Sequence, residues 1–105
     1  MYYPVSSLLM ECLILSVVKQ NDSYGYEISQ TVKLAANIKE STLYPILRKL
    51  EQAGFLTTYN QEFQGRNRKY YSITEAGQEK LTSLKEEWQC YKDTIDSIIE
   101  GRLRK

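Results

Sequence analysis

Ser41, Thr42 and Tyr44 place two hydroxyls and a phenol within four residues, and Arg48 and Lys49 add two cations about one helical turn further on. Short hydroxyl donors suit base edges, and cations suit phosphates. A second basic cluster follows in Gly65-Arg-Asn-Arg-Lys-Tyr-Tyr-Ser-Ile-Thr74, where Arg66, Asn67, Arg68 and Lys69 are consecutive. A polar reading surface beside a basic arm is an arrangement that grips duplex nucleic acid. Catalytic chemistry has little to work with. The chain has no histidine, so the commonest general base and metal ligand is missing. Its two cysteines, Cys12 and Cys90, belong to no metal or redox spacing and read as reduced thiols. No glycine-rich phosphate loop occurs. The expectation is no enzyme, no catalytic residue, no metal and no cofactor.

The polar residues need a helix to present them. From about Lys39 to Ala53, Leu43, Ile46, Leu47 and Leu50 fall within one arc at 100° per residue, which is a buried face. Ser41, Arg48 and Gln52 point the opposite way, flanked by Tyr44 on one side and by Thr42 and Lys49 on the other. Pro45 is expected in the first turn or so, where a missing N–H does least damage. Gly54 ends the helix. A helix that served packing alone would carry long charged side chains outside; the N-terminal outer positions are instead short or aromatic.

Two further helices precede it. The first, about Val5 to Lys19, is apolar on most sides and belongs either in the core or against a partner chain. Asn21-Asp22-Ser23 breaks it and offers cap oxygens to the second, about Tyr24 to Leu34. Two strands follow the reading helix, Phe55 to Phe63 and Arg68 to Thr74, rich in aromatic and β-branched residues and joined through Gln64-Gly65-Arg66-Asn67. Charged residues on such a hairpin also protect an exposed edge, a role compatible with phosphate contact. Of Tyr70 and Tyr71, one must face inward and the other outward. Thr74 caps the last helix, about Glu75 to Leu103, with Glu75 in its first turn. The pattern is mainly α with a small β-hairpin, an α+β winged helix-turn-helix over residues 1–74, with a long C-terminal helix over 75–105, together one compact unit.

That last helix carries Leu81, Leu84, Trp88, Tyr91, Ile95 and Ile98 at alternating steps of three and four. This is a coiled-coil seam. At 1.5 Å per residue the helix spans ~43 Å, more than so small a domain covers, so a second copy of the chain is expected on it. Trp88 and Tyr91 fill the dimer core on one reading. On the other they line a pocket between subunits for a small planar aromatic or hydrophobic effector.

Composition agrees with these elements. The hydrophobic share of 42% and charged share of 26% are those of a soluble globular domain. The apolar run Leu8 to Val18 is interrupted by Glu11 and Ser16 and is too short for a bilayer, which takes ~20 residues. It also lacks a basic flank, so the expectation is a cytoplasmic protein with no membrane partner. The net charge is only +1, but residues 1–32 sum to −2, residues 33–69 to +4 and residues 70–105 to −1. One basic third in a near-neutral chain points to a localised polyanion site.

The chain resembles the PadR family of bacterial transcriptional regulators, in its short subfamily with a single C-terminal helix. The matching pieces are Tyr24-Gly-Tyr-Glu-Ile28, Ser41-Thr-Leu-Tyr-Pro45, Leu50-Glu-Gln-Ala-Gly-Phe-Leu56, Gly65-Arg-Asn-Arg-Lys-Tyr-Tyr71 and Thr74-Glu-Ala-Gly77. They occur in the family's order and spacing over roughly residues 5–80. Two residues depart from it: Ser41 stands where the family often has glycine, and Asn67 where proline is frequent, which bears on base choice and wing stiffness. The resemblance implies a homodimeric repressor that binds a double-stranded operator and dimerises through its C-terminal helix, with the first helix contributing. It also implies that some members release DNA when a small aromatic or hydrophobic compound binds. The competing reading is a winged-helix adaptor that binds protein without specific DNA binding; the basic hairpin and the small polar residues of the reading helix argue against it.

Overall fold

The computed structural model describes residues 6–102. Helix α1 runs Ser7–Gln20, and the Ser6 hydroxyl caps it by accepting from the Leu9 amide at 3.3 Å. The expected start at Val5 lies outside the described residues. Met10, Cys12, Ile14, Leu15 and Val18 of α1 are buried, and Leu8, Leu9, Leu13 and Val17 pack half-buried against the same core. So apolar a helix has few sides to spare for solvent, and α1 is the centre of the molecule.

A two-residue strand, β1 at Ser23–Tyr24, precedes helix α2 at Gly25–Val32. Nothing in the local sequence announces this strand. It exists through its pairing with a distant strand, Ser23 opposite Tyr71 and Tyr24 opposite Tyr70. The expected cap is corrected with it. The Ser23 hydroxyl donates back to the Asn21 carbonyl at 2.8 Å, and Tyr24 holds the cap position of α2 with no side-chain bond. Helix α3 follows at Glu40–Gln52. Its C-terminal boundary is set by Gly54, whose φ of 84° is a left-handed conformation that glycine adopts at little cost.

Strands β2 (Leu56–Phe63) and β3 (Arg66–Ile73) form the hairpin, and the sheet order is β1-β3-β2, antiparallel throughout. The turn contains only Gln64 and Gly65, with φ of 52° and 78°, the left-handed pair that a two-residue hairpin loop demands. Arg66 and Asn67, expected in the loop, are therefore strand residues, opposite Phe63 and Glu62. Tyr71 is the tyrosine that turns inward, 7% exposed, and Tyr70 turns outward.

Helix α4 spans Glu75–Ile99; the expected extension to Leu103 lies outside the described residues. The Thr74 hydroxyl fixes its start twice, accepting from the Gly77 amide at 3.0 Å and donating to the Gly54 carbonyl at 2.6 Å. That second bond ties the end of the α3 region to the beginning of α4. The first turns of α4 complete the core with Leu81 and Leu84, packed with α1. Beyond them the helix projects from the domain, which gives the molecule a long dimension of 59 Å against 30 and 20 Å. Each fully buried leucine or isoleucine contributes roughly 1.5–3 kcal/mol, so the shared α1–α4 core holds the base of this arm firmly.

Candidate nucleic-acid interface

Helix α3 is anchored from below and presents its polar side outward. Leu43, Leu47 and Leu50 are buried, while Ser41, Thr42, Tyr44, Arg48 and Lys49 are exposed. Pro45 stands in the second turn rather than the first. It deprives the Ser41 carbonyl of its intrahelical donor, on the exposed side. Tyr44 is less free than its neighbours. A Cβ placed on Gly25 would come within 2.6 Å of its ring, so the phenol lies against the first residue of α2 and is 39% exposed. Glycine at 25 is what lets the phenol lie there.

A polar bridge sets the position of the N-terminal end of α3. The Glu40 carboxylate accepts from Lys33 Nζ at 2.7 Å and from the Ser29 hydroxyl at 3.1 Å. Ser29 is fully buried, so this bond satisfies a hydroxyl that would otherwise lack a partner. The bond from Lys33, then the backbone and Ser29 bonds, hold the Glu40 carboxyl below its ordinary range. A charged carboxylate there also favours the positive end of the α3 dipole. Sequence reasoning missed this bridge, because a pair seven residues apart across a turn has no helical or strand periodicity to betray it.

The hairpin register divides the basic residues between two faces, since directly paired residues share a side. The core-facing side carries Asn67, Lys69 and Tyr71. Here Lys69 Nζ lies 3.5 Å from Glu51 of α3. The outer side carries Arg66, Arg68 and Tyr70, opposite Phe63, Gln61 and Tyr59. The Tyr59 and Tyr70 rings stack at 5.7 Å, and Tyr24 meets Tyr70 edge-on at 5.6 Å. The Arg68 guanidinium lies over two rings, 4.0 Å from the centre of Phe63 and 4.3 Å from that of Tyr24. The Tyr59 hydroxyl donates to Asp22 at 2.8 Å, which raises the phenol's pKa above its usual value. The roles of Tyr24 and Phe63 were also missed, although the alternation of Phe63 with Gln61 would have placed it opposite an arginine had the register been known.

The cations are unequally occupied. Lys49 pairs with Glu11 of α1 at 3.4 Å, with Lys49 71% exposed. The Glu11 side chain is only 14% exposed, but the long contact and the exposed ammonium keep the pair weak, so a phosphate competes with Glu11 for Lys49. Arg48 and Arg66 have no ion-pair partner among the described residues. The expected C-terminal seam splits in two. Leu81 and Leu84, expected at the dimer interface, are 1% and 3% exposed within this chain's own core, because α1 packs on the base of α4. From Trp88 onward the stripe is uncovered: Trp88 is half-buried, Tyr91 and Ile98 are 58% and 59% exposed and Ile99 77%, with Ile95 beside them. The Trp88 and Tyr91 rings lie 6.2 Å apart, tilted by 50°. Among the described residues no helix is long and apolar enough to cross a membrane.

Known proteins share this geometry. Residues 14–83 match the model of the transcriptional regulator PadR-like family. A crystal structure of smu.1704 from Streptococcus mutans superposes with a TM-score of 0.95 at 65% identity, covering 100% of this chain and 99% of that one. A PadR family transcription regulator from Clostridium difficile superposes at 0.79 with 31% identity, covering 86% of this chain and 97% of the other. An uncharacterized protein of Lysinibacillus sphaericus is 38% identical over 97 residues, 88% of this chain and 89% of its own length.

Proposed function

The chain belongs to the PadR-like family of transcriptional regulators, and on that premise we propose that it is a dimeric repressor that reads a two-fold symmetric operator with α3. The observation that carries this reading is the exposed face of α3, where Ser41, Thr42, Tyr44 and Arg48 stand clear of the core beside a hairpin rich in cations. The N-terminal end of such a helix enters the major groove. There Ser41 and Thr42 meet base edges, Tyr44 meets a base edge or a phosphate, and Arg48 meets guanine or a phosphate. Lys49 and the hairpin residues Arg66, Asn67, Arg68 and Lys69 hold the backbone on either side.

Dimerisation uses the stripe from Trp88 to Ile98. Four large apolar side chains on one exposed face of a projecting helix are poorly solvated, and a second copy of the same stripe covers them symmetrically. Trp88 and Tyr91, adjacent on that stripe, then face their symmetry mates and bind a small planar aromatic or hydrophobic effector. An effector that separates the two arms changes the spacing of the two reading helices and weakens operator binding by its differential affinity for the two states. The protein acts in the cytoplasm, where the chromosome is.

The test is transcription in vitro from a promoter carrying a selected binding site. Added protein lowers the transcript, and a scrambled site abolishes the effect. A chain that leaves both promoters equally active, while binding other proteins, is an adaptor.

A further inference from the structure

We propose that Glu40 is a specificity-determining residue of the reading helix, whose free carboxylate oxygen accepts a hydrogen bond from the 4-amino group of a cytosine in the major groove. The proposal rests on the DNA-reading function of α3 and adds an acid to a reading set otherwise made of hydroxyls and cations.

The unequal use of the two carboxylate oxygens is the first observation. Lys33 Nζ at 2.7 Å and the Ser29 hydroxyl at 3.1 Å both donate to Oε1. Ser29 is fully buried, so Oε1 is the inner oxygen. Oε2 takes no hydrogen bond from any other described residue, and the side chain is 41% exposed. Two donors on one oxygen hold the carboxylate in place, so the second oxygen is an acceptor positioned before any ligand arrives. A side chain already ordered loses little freedom on binding.

Position is the second observation. Glu40 is the first residue of α3, ahead of the exposed Ser41 and Thr42 and one turn before Tyr44 on the same flank. It therefore lies at the end of the helix that enters the major groove. Charge is the third. A bare carboxylate approaching a groove walled by phosphates is repelled, and the Lys33 ammonium offsets that charge on the spot. The bond from Lys33 also holds the carboxyl below its ordinary range, so at neutral pH the group only accepts.

A group that only accepts selects among bases by the edge it meets. Guanine presents O6 and N7 to the major groove and thymine presents O4, all acceptors that repel a carboxylate oxygen. Adenine offers its 6-amino group beside the N7 acceptor. Cytosine offers its 4-amino group with no acceptor next to it, and is the base that Oε2 fits.

The experiment is binding-site selection with the full chain, run in parallel for the wild type, Glu40→Gln and Glu40→Ala. The wild type is expected to favour cytosine at one position of each half-site. In Glu40→Gln, Lys33 has only donors and keeps the amide oxygen, which leaves the amide NH2 as the free group. Preference at that position is then expected to invert to guanine or thymine, and in Glu40→Ala to disappear. A second measurement replaces that cytosine, in the selected duplex, by 2-pyrimidinone, which lacks the 4-amino group. The replacement is expected to weaken the wild type about 5- to 150-fold more than Glu40→Ala. A residue that only bridges α2 and α3 would instead lower affinity for every sequence alike when changed. A Glu40→Gln protein that recovers the wild-type sequence, or a base replacement that costs the wild type no more than Glu40→Ala, overturns the proposal. A wild type that enriches no sequence overturns the DNA-reading premise instead.

Discussion

Adding one methyl group at Gly25 and one at Gly77 tests which parts of this domain serve reading and which serve folding. At Gly77 the new Cβ would run into the Phe55 carbonyl, a backbone atom, and would also lie 2.7 Å from Ile73 Cγ1. The Phe55 carbonyl cannot easily withdraw, since Phe55 follows the Gly54 turn and the Thr74 hydroxyl ties that turn to the start of α4. Overpacking of this kind costs ~1–3 kcal/mol. A loss of ~2 kcal/mol lowers Tm by roughly 8–16 °C in a domain of this size. At Gly25 the three atoms nearest the new Cβ all belong to the Tyr44 side chain, with Cε1 at 2.6 Å and the hydroxyl oxygen at 3.3 Å. Tyr44 is partly exposed and swings outward. Holding it off its rotamer costs ~0.5–1.5 kcal/mol, and replacing glycine by alanine, at either position, returns ~0.4–1 kcal/mol by narrowing the freedom of the unfolded chain. Stability should therefore change little. Operator affinity should not be spared, because a displaced Tyr44 gives up an interaction worth ~1–3 kcal/mol, roughly 5- to 150-fold. Thermal melts and fluorescence anisotropy on a selected site measure the two properties separately. A Gly77→Ala protein as stable as the wild type, or a Gly25→Ala protein with unaltered affinity, refutes the reasoning.

Three other outcomes are expected. Ile95→Glu puts a charge into the proposed arm interface at a cost of several kcal/mol; sedimentation at low micromolar concentration should change from two chains to one, and a wild type already at 12.3 kDa contradicts the dimer. Glu40 has its folded pKa below the ordinary value of about 4.5, so its stabilising effect is present above that pH and is lost as pH falls through the lower folded value. Melting temperature against pH should accordingly show an acid limb that Glu40→Gln flattens, and an unchanged limb rules out the Lys33–Glu40–Ser29 bridge as a stabilising element. Trp88 is the only tryptophan, so planar aromatic dyes that enter the inter-subunit space should quench its fluorescence saturably and weaken operator binding, and Trp88→Ala should abolish the dye's effect on the operator; quenching that leaves operator affinity untouched makes the indole packing material.

Periodic burial is legible in the sequence. The arc of Leu43, Leu47 and Leu50 locates α3 to within a residue at each end, and its exposed hydroxyls follow from the same 100° rule. The hairpin is legible too, through its aromatic and β-branched runs. Its register is not, because the sequence suggests a four-residue loop where Gln64 and Gly65 suffice, and the two faces of β3 then stay unassigned. The strand at Ser23–Tyr24 has no local signature; two residues become a strand only when Tyr70 and Tyr71 lie alongside. The seam of α4 looks like one continuous stripe, since sequence spacing records a face and says nothing of what covers it. Its first members face α1 of the same chain and the later ones face solvent.

The central claim is that α3 reads bases, and binding-site selection on the full chain tests it most directly, with Ser41→Ala and Tyr44→Phe selected in parallel. The wild type is expected to enrich a two-fold symmetric sequence. Each variant is expected to relax preference at particular positions of each half-site, by a factor corresponding to ~1–3 kcal/mol. No enrichment by the wild type, or variants that recover the wild-type sequence with wild-type affinity, would contradict it.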